Sequence, residues 1–470
     1  MKKKRIFCFA MLAAVLSLPA GTAAKAAPHM WIGFQDDASF RWRPDRENNL
    51  DAAKQAGATI VRAWAYWPQV APTRPANAAN PFDPAYRFDD IDELVRGAQA
   101  RGLEVLLTPW GTPKWANGKT PNYAPRNLAD WSNFVRALAL RYSGRYPGYP
   151  AVRFWSIWNE PNLNQFLAPQ YVGTKDASPA IYAKLYRAAY AAIKQSDPTA
   201  QVAIGETGPR GRDKPLGSSS TQETHSPGKF AQLLAAQRPV LRFDAWAHHP
   251  YALPQTAPVT QRVKWPNVSL VSMKKFETFI DTSFHRTNTP MWITEYAYQT
   301  KPPLPSGAVP LPTQASNVRT ALSIVAKDPR IQMFIWFTFR DDAGNPWKSG
   351  LMANDNTKKP AYDVFTEVAK PLDGRDEMLT VKAGREPVVA VPARELATHT
   401  APGEPVGVSY ALYDGTKWLA IHQPQLPMGR DGWFTLPVQL MPERGHTYTV
   451  IITANAHGDY IRRQLTLTAT

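Results

Sequence analysis

Alternation is the feature that most constrains this chain. From Trp31 to about Ala369, short apolar runs take turns with amphipathic stretches, the βαβα pattern of a parallel sheet. Eight runs read as strands: Trp31–Phe34, Thr59–Ala63, Leu103–Thr108, Val152–Trp158, Gln201–Gly205, Phe243–Ala247, Met291–Thr294 and Ile331–Phe337. Several are continuously apolar, as strands covered on both faces should be. Helical periodicity fills the gaps. Leu128–Tyr142 spaces Trp131, Phe134, Val135, Leu138 and Tyr142 along one face, with Asn127 at the N-cap. Asp90–Ala100 turns Ile91, Leu94, Val95 and Ala98 inward and stops at Gly102, and Ile181–Ile193 is a third helix. Eight such units fit an α/β fold, a (β/α)8 TIM barrel. A doubly wound open sheet is the alternative, but no Gly-rich phosphate fingerprint follows the first strand.

The pattern changes at Pro371-Leu372-Asp373-Gly374, a linker signal. Beyond it, Val406–Tyr413, Trp418–Gln423, Trp433–Leu440, Thr447–Asn455 and Tyr460–Thr468 read as strands, with Asp414-Gly415 and His457-Gly458 as hairpin turns. Residues 371–470 are therefore expected to form an Ig-like all-β sandwich, and residues 27–370 the barrel. Trp418 and Trp433 are expected in its core rather than as exposed binding platforms.

The first residues carry an export signature. Lys2, Lys3, Lys4 and Arg5 precede an apolar run from Ile6 to Leu18, too short to span a bilayer, and Ala24-Lys25-Ala26 reads as a cleavage site. Residues 1–26 are expected to be a signal peptide, and the protein to be secreted or in the cell envelope, without stable membrane insertion. The single cysteine, Cys8, lies inside that segment, so the remainder relies on core size rather than disulfides. Removing five bases lowers the net charge from +16 to about +11. A basic exported protein with no basic run and no nucleic-acid motif argues against nucleic acid as partner. An acidic polysaccharide, an anionic membrane or a merely solvated surface remains.

Barrels place chemistry at the C-terminal ends of their strands. Glu160 follows the fourth strand in Trp158-Asn159-Glu160-Pro161-Asn162, and Glu295 ends the seventh in Trp292-Ile293-Thr294-Glu295-Tyr296. Glu206, ending the fifth, is the rival carboxylate. The first segment resembles the acid/base motif of the clan of retaining glycosidases that includes glycoside hydrolase families 5 and 39, and the second resembles that clan's nucleophile strand. Asn-Glu-Pro-Asn, His249-Pro250-Tyr251 and Lys359-Pro360-Ala361-Tyr362 are similar to family 39-like bacterial exopolysaccharide hydrolases. The resemblance implies an O-glycoside hydrolase acting on a poly- or oligosaccharide through a covalent intermediate, with Glu160 as acid/base and Glu295 as nucleophile. The alternative for each is a structural carboxylate.

The same resemblance implies that Arg62 keeps the nucleophile charged, that Asn159 binds the sugar 2-hydroxyl, and that His249, Tyr251 and Trp336 line the subsite beside the cleaved bond, with Trp336 as a stacking floor. A barrel-wall salt bridge for Arg62, a buried structural amide for Asn159 and core packing for Trp336 are the alternatives. One of His248 and His249 is expected in the barrel wall. Trp64, Trp67, Trp110 and Trp115 are split between sugar stacking and packing. Glu206 is expected to be a substrate contact or structural acid. No metal-ligand spacing such as His-Glu-x-x-His occurs, so no metal and no cofactor are expected. A monomer is expected. The rivals are a transglycosylase with the same intermediate and a non-catalytic carbohydrate-binding wall protein. Arg210, Arg212 and Lys214, in the loop after the fifth strand, would draw in an anionic polymer if they bordered the cleft.

Overall fold

The computed structural model describes residues 30–216, 222–328, 330–369, 378–393, 396–429 and 433–470. The expected signal peptide and the Pro371–Gly374 linker lie outside them. Eight parallel strands close a barrel: β1 (Trp31–Gln35), β2 (Ile60–Tyr66), β3 (Glu104–Trp110), β4 (Phe154–Ser156), β5 (Gln201–Thr207), β6 (Ala245–His248), β7 (Met291–Tyr296) and β8 (Ile331–Phe337). A helix follows each in turn: α1 (Arg46–Gln55), α2 (Asp89–Ala100), α3 (Leu128–Arg141), α4 (Ser178–Ser196), α5 (Pro227–Ala235), α6 (Met273–Phe284), α7 (Leu311–Val325) and α8 (Pro360–Ala369). Asn127 caps α3, accepting from the Ala129 amide at 3.0 Å. The fourth strand is shorter than its apolar run, because Ile157 and Trp158 leave the ladder to turn towards Glu160.

The strands bury two different faces. Trp31, Phe154 and Trp292 meet edge to face inside the barrel, at 5.3 and 5.4 Å between rings. Ala203, Ala245 and Ala247 on the facing strands make room for them, and Ile60, Leu106, Met333 and Ile335 complete the plug. Residues out of phase with these, such as Phe34, Val61, Trp155, Trp246 and Phe334, face the helices. One step higher on the inner face, the same alternation brings up polar side chains: Gln35, Arg62, Thr108 and Ser156. The apolar plug thus ends in a polar layer at the C-terminal mouth.

Beyond the barrel, strands β9 (Met378–Val381), β10 (Val388–Pro392), β11 (Pro405–Asp414), β12 (Lys417–His422), β13 (Gln425–Pro427), β14 (Trp433–Pro437), β15 (Thr447–Ala456) and β16 (Asp459–Ala469) form a second unit. One sheet runs β9-β16-β15-β11-β12, with β13 on β11, and a two-stranded β10-β14 sheet accompanies it. Their side chains share one core, including Val391, Val408, Leu436, Val450 and Leu465. His457 and Gly458, both at positive φ, turn β15 into β16. Trp418 is only partly buried, and packs with Ala151, Tyr413 and Ile451 where this sandwich meets the barrel. The side chain of Trp433 lies outside the described residues. The contact involves the segments before β4 and β5, where Arg462 donates to the Ala151 carbonyl at 3.3 Å and pairs with Asp197 at 3.5 Å. The sandwich therefore packs at the N-terminal face of the barrel, opposite its mouth.

Candidate active site

Three glutamates converge at the mouth, and irregular backbone delivers each. Between Ile204 and Thr207, three steps along β5 match two along β6, and Glu206 takes φ +47°. Between Ile293 and Tyr296, three steps along β7 match two along β8. Each extra residue shifts the alternation and turns inward a carboxylate that regular pleating would send to the helices. After β4, Trp158 and Glu160 adopt φ of +70° and +36°. Such conformations are costly for residues with a Cβ and gather at functional sites.

The cations sit between them. Arg62, wholly buried, donates from Nη1 to Glu295 Oε1 at 2.6 Å and from Nη2 to Glu206 Oε2 at 2.9 Å. Its Nη2 also reaches Asn159 Oδ1 at 3.3 Å. His249 contacts Glu160 Oε1 through Nδ1 at 2.9 Å and Glu206 Oε2 through Nε2 at 2.8 Å. Its Nδ1 lies 3.7 Å from Glu295. The Tyr251 hydroxyl donates to Glu295 Oε2 at 3.0 Å. Both oxygens of Glu295 therefore accept from fixed donors.

These contacts set the protonation states. Burial pushes the Glu160 carboxyl up, His249 pulls it down, and the neighbouring charges of Glu295 and Glu206 push it up again, leaving it raised. Burial would lower His249, but the three carboxylates outweigh it and carry the ring up to about 10. Glu206 is held below the usual range despite burial, chiefly by Arg62. Burial keeps the Tyr251 hydroxyl protonated, as a donor must be.

Above these groups lies a cleft of about 370 Å³. Asn159, Glu160, Tyr251 and Glu295 reach it, between Trp64, Phe166, Phe337 and Trp347. Two expectations need correction. Trp336 is not a stacking floor. It is in phase with Phe334, is wholly buried towards the helices, and donates from Nε1 to the Ser349 carbonyl at 2.9 Å. Phe337, in phase with Met333 and Ile335, faces the cleft instead. His249 does not line the cleft surface, because both ring nitrogens are spent on carboxylates and the ring is wholly buried. Its neighbour His248 points the other way, to Phe276 on α6, with Nδ1 at 2.9 Å from the Thr207 hydroxyl.

Trp67 is core, whereas Trp64 borders the cleft, with Trp110 packed against it. Trp115 packs under Arg74 and donates to the Ala71 carbonyl. Trp347 and Phe166 escaped the sequence reading because both stand in loops with no periodic signal. Arg210 is tied to the Leu253 carbonyl and to Gln261, leaving Arg212 and Lys214 exposed. Among the described residues no Lys or Arg lines the cleft. Glu160, His249 and Glu295 could hold a metal ion, since one ligand atom from each lies within 4.8 Å of the others. A cation there would compete with the proton between His249 and Glu160, and would lie beside the Arg62 guanidinium.

The sequence pattern of glycosyl hydrolases family 39 matches residues 83–397, about two-thirds of the chain. The chain belongs to that family. Solved structures agree on the fold. A family 39 glycoside hydrolase from Bacteroides cellulosilyticus WH2 superposes with a TM-score of 0.54 at 17% identity, covering 88% of this chain and 80% of the other. A glucosidase from Croceicoccus marinus gives 0.55 at 15% identity, covering 87% and 95%. The protein is thus a glycoside-hydrolase-fold enzyme with paired carboxylates at the mouth of its barrel. Among the described residues no helix is long and apolar enough to cross a membrane.

Proposed function

We propose that the protein hydrolyses O-glycosidic bonds of a poly- or oligosaccharide with net retention, Glu295 acting as nucleophile and Glu160 as acid/base. One observation carries the reading: an oxygen of Glu160 and an oxygen of Glu295 lie within 4.8 Å of each other. Retaining pairs stand about 5–5.5 Å apart, and inverting pairs about 6.5–9.5 Å, to admit a water.

In the first step a Glu295 oxygen bonds to the anomeric carbon. The glycosidic bond breaks, and the leaving oxygen takes the proton of Glu160. In the second step Glu160 removes a proton from water, whose oxygen displaces Glu295 from that carbon. Arg62 and Tyr251 each donate to one oxygen of Glu295 and so hold the nucleophile in place. Burial of Glu160 favours the protonated form that an acid requires. With Glu160 protonated and His249 charged, the cluster of Arg62, His249, Glu160, Glu206 and Glu295 sums to zero, which suits its burial. Asn159, at the cleft floor, would meet a sugar hydroxyl. The basic, then apolar, then small-residue start of the chain supports export, so the substrate would be met outside the cytoplasm.

The test is the configuration of the first product, followed by NMR during hydrolysis of an oligosaccharide the enzyme cuts. Retention is expected, and an inverted product would overturn the nucleophile assignment. Glu295→Ala should abolish turnover, with azide restoring it by occupying the vacated face.

A further inference from the structure

The cleft does not end at the reacting carbon. A second cavity of about 380 Å³ adjoins it, and Trp64 and Phe337 line both. Each cavity is of small-molecule size, about 300–1,000 Å³. The second is built by the ends of β1 and β2 and the loop after β8. In the closed barrel β8 stands directly across from β4, which leads into Glu160, and β1 lies three strands away from it. The group that Glu160 protonates leaves on the β4 side, so the second cavity lies on the side of the sugar that stays bound to Glu295.

Its walls are specific. Trp42 stands at the rim, 54% exposed, with its Nε1 bonded to Asp90 at 3.0 Å. That bond fixes the ring and leaves apolar surface open, an arrangement suited to stacking on a sugar. The charged lining is acidic: Asp36, Asp37 and Asp342. Nearby cations are already engaged. Arg41 bonds Asp37 at 2.6 Å, Asp90 at 2.8 Å and the Trp64 carbonyl at 2.7 Å, and Arg43 pairs with Asp45 and Asp342. Burial chiefly pushes Asp36 up to about 7, and the neighbouring charges of Asp37 and Asp342 add to the rise.

We propose that this cavity is a second glycone subsite, stacked on Trp42, which accepts a sugar residue without a carboxylate and rejects a uronate. The inference rests on the hydrolase reading above and makes it more definite. The enzyme would cut with two or more sugars on the glycone side, releasing disaccharides or longer pieces rather than single sugars. It also redirects the expectation raised by the basic composition. The positive charge resides on exposed surface such as Arg212 and Lys214, while the glycone path is acidic.

The experiment is digestion of a panel of neutral and uronate-containing polysaccharides and their oligosaccharides of two to six units, with products sized by mass spectrometry. Disaccharides or longer are expected as the smallest early glycone products. A uronate at the second glycone position should lower kcat/KM by about tenfold or more, because like charges would be juxtaposed. Asp342→Asn should narrow that gap roughly threefold as one charge is removed. Trp42→Ala should cut the preference for a two-sugar over a one-sugar glycone about tenfold, the scale of one apolar contact in a pocket. Early release of monosaccharides, or preference for a uronate at that position, would overturn the subsite while leaving hydrolysis intact. If wild type cuts no member and Glu295→Ala behaves identically, the hydrolase reading falls, and this inference with it.

Discussion

His248 and His249 are adjacent, identical and wholly buried, yet their ionisation is driven in opposite directions. Strand alternation sends His248 into the helix layer, where burial takes it down to about 3, and sends His249 among carboxylates, which take it up to about 10. The sign for stability follows. His249 is raised above its unfolded value, so its contribution is complete below about pH 6.5 and is lost as pH rises through 10. His248 is depressed, so the unfolded chain takes up its proton first and stability is lost as pH falls from about 6.5 towards 3. Chemical denaturation across pH should show wild type weakening between pH 7 and 10, with a shallower fall in His249→Asn. Kinetics test the same ring as a positioning residue. Its charge holds Glu160 down, so removing it should move the basic limb of kcat/KM to higher pH while lowering kcat. A merely structural ring would lower activity without moving that limb. The sequence made Glu160 and Glu295 legible because each stood in a motif at a strand end. Which histidine faced inward was not legible, because adjacent residues on a strand differ only in phase.

The elements explain where phase failed. Eight apolar runs located all eight barrel strands, and the misassignment of Trp336 was a single step along β8. Apolar residues fill both faces of a buried parallel strand, so composition does not tell inner from outer. The extra residues in β5 and β7 were equally silent, since nothing local in Gly205-Glu206 or Thr294-Glu295 announces a bulge. The β5 bulge can be tested at Gly205. Its φ is +102°, and a Cβ there would lie 2.7 Å from the Trp246 ring and 2.8 Å from the Ala247 carbonyl oxygen. Gly205→Ala combines backbone strain with overpacking, so a loss of about 2–4 kcal/mol is expected. Denaturant midpoints would measure it. Activity should fall further than stability alone explains, because Glu206 anchors both Arg62 and His249. A fully stable, fully active variant would show that the bulge has no such tightness.

At the scale of the whole molecule, the two units divide the work by position. The C-terminal strands were legible from alternation and two hairpin turns, except for β9, β10 and β13, which are short and lack a turn signal. Where the sandwich docks was not legible, because Ala151, Tyr413 and Ile451 are unremarkable until they touch. Docking at the N-terminal face keeps it from the mouth, so we propose that it supports the barrel rather than the chemistry. A chain ending near residue 371 should lose thermal stability or solubility, with its bond specificity kept; losing only polymer binding would make the sandwich a carbohydrate-binding module. Charge divides in the same way. The whole chain carries +16, yet the described cleft lining contains no Lys or Arg and its extension is acidic. Exposed charges are screened beyond about 10 Å at 0.1 M salt, so surface bases would steer only an anionic polymer, and only at low ionic strength. On a neutral oligosaccharide, kcat/KM should change less than about twofold between 0.02 and 0.5 M salt, since no net charge is drawn in. A steep fall with salt on a neutral substrate would mean that cations reach the substrate path after all.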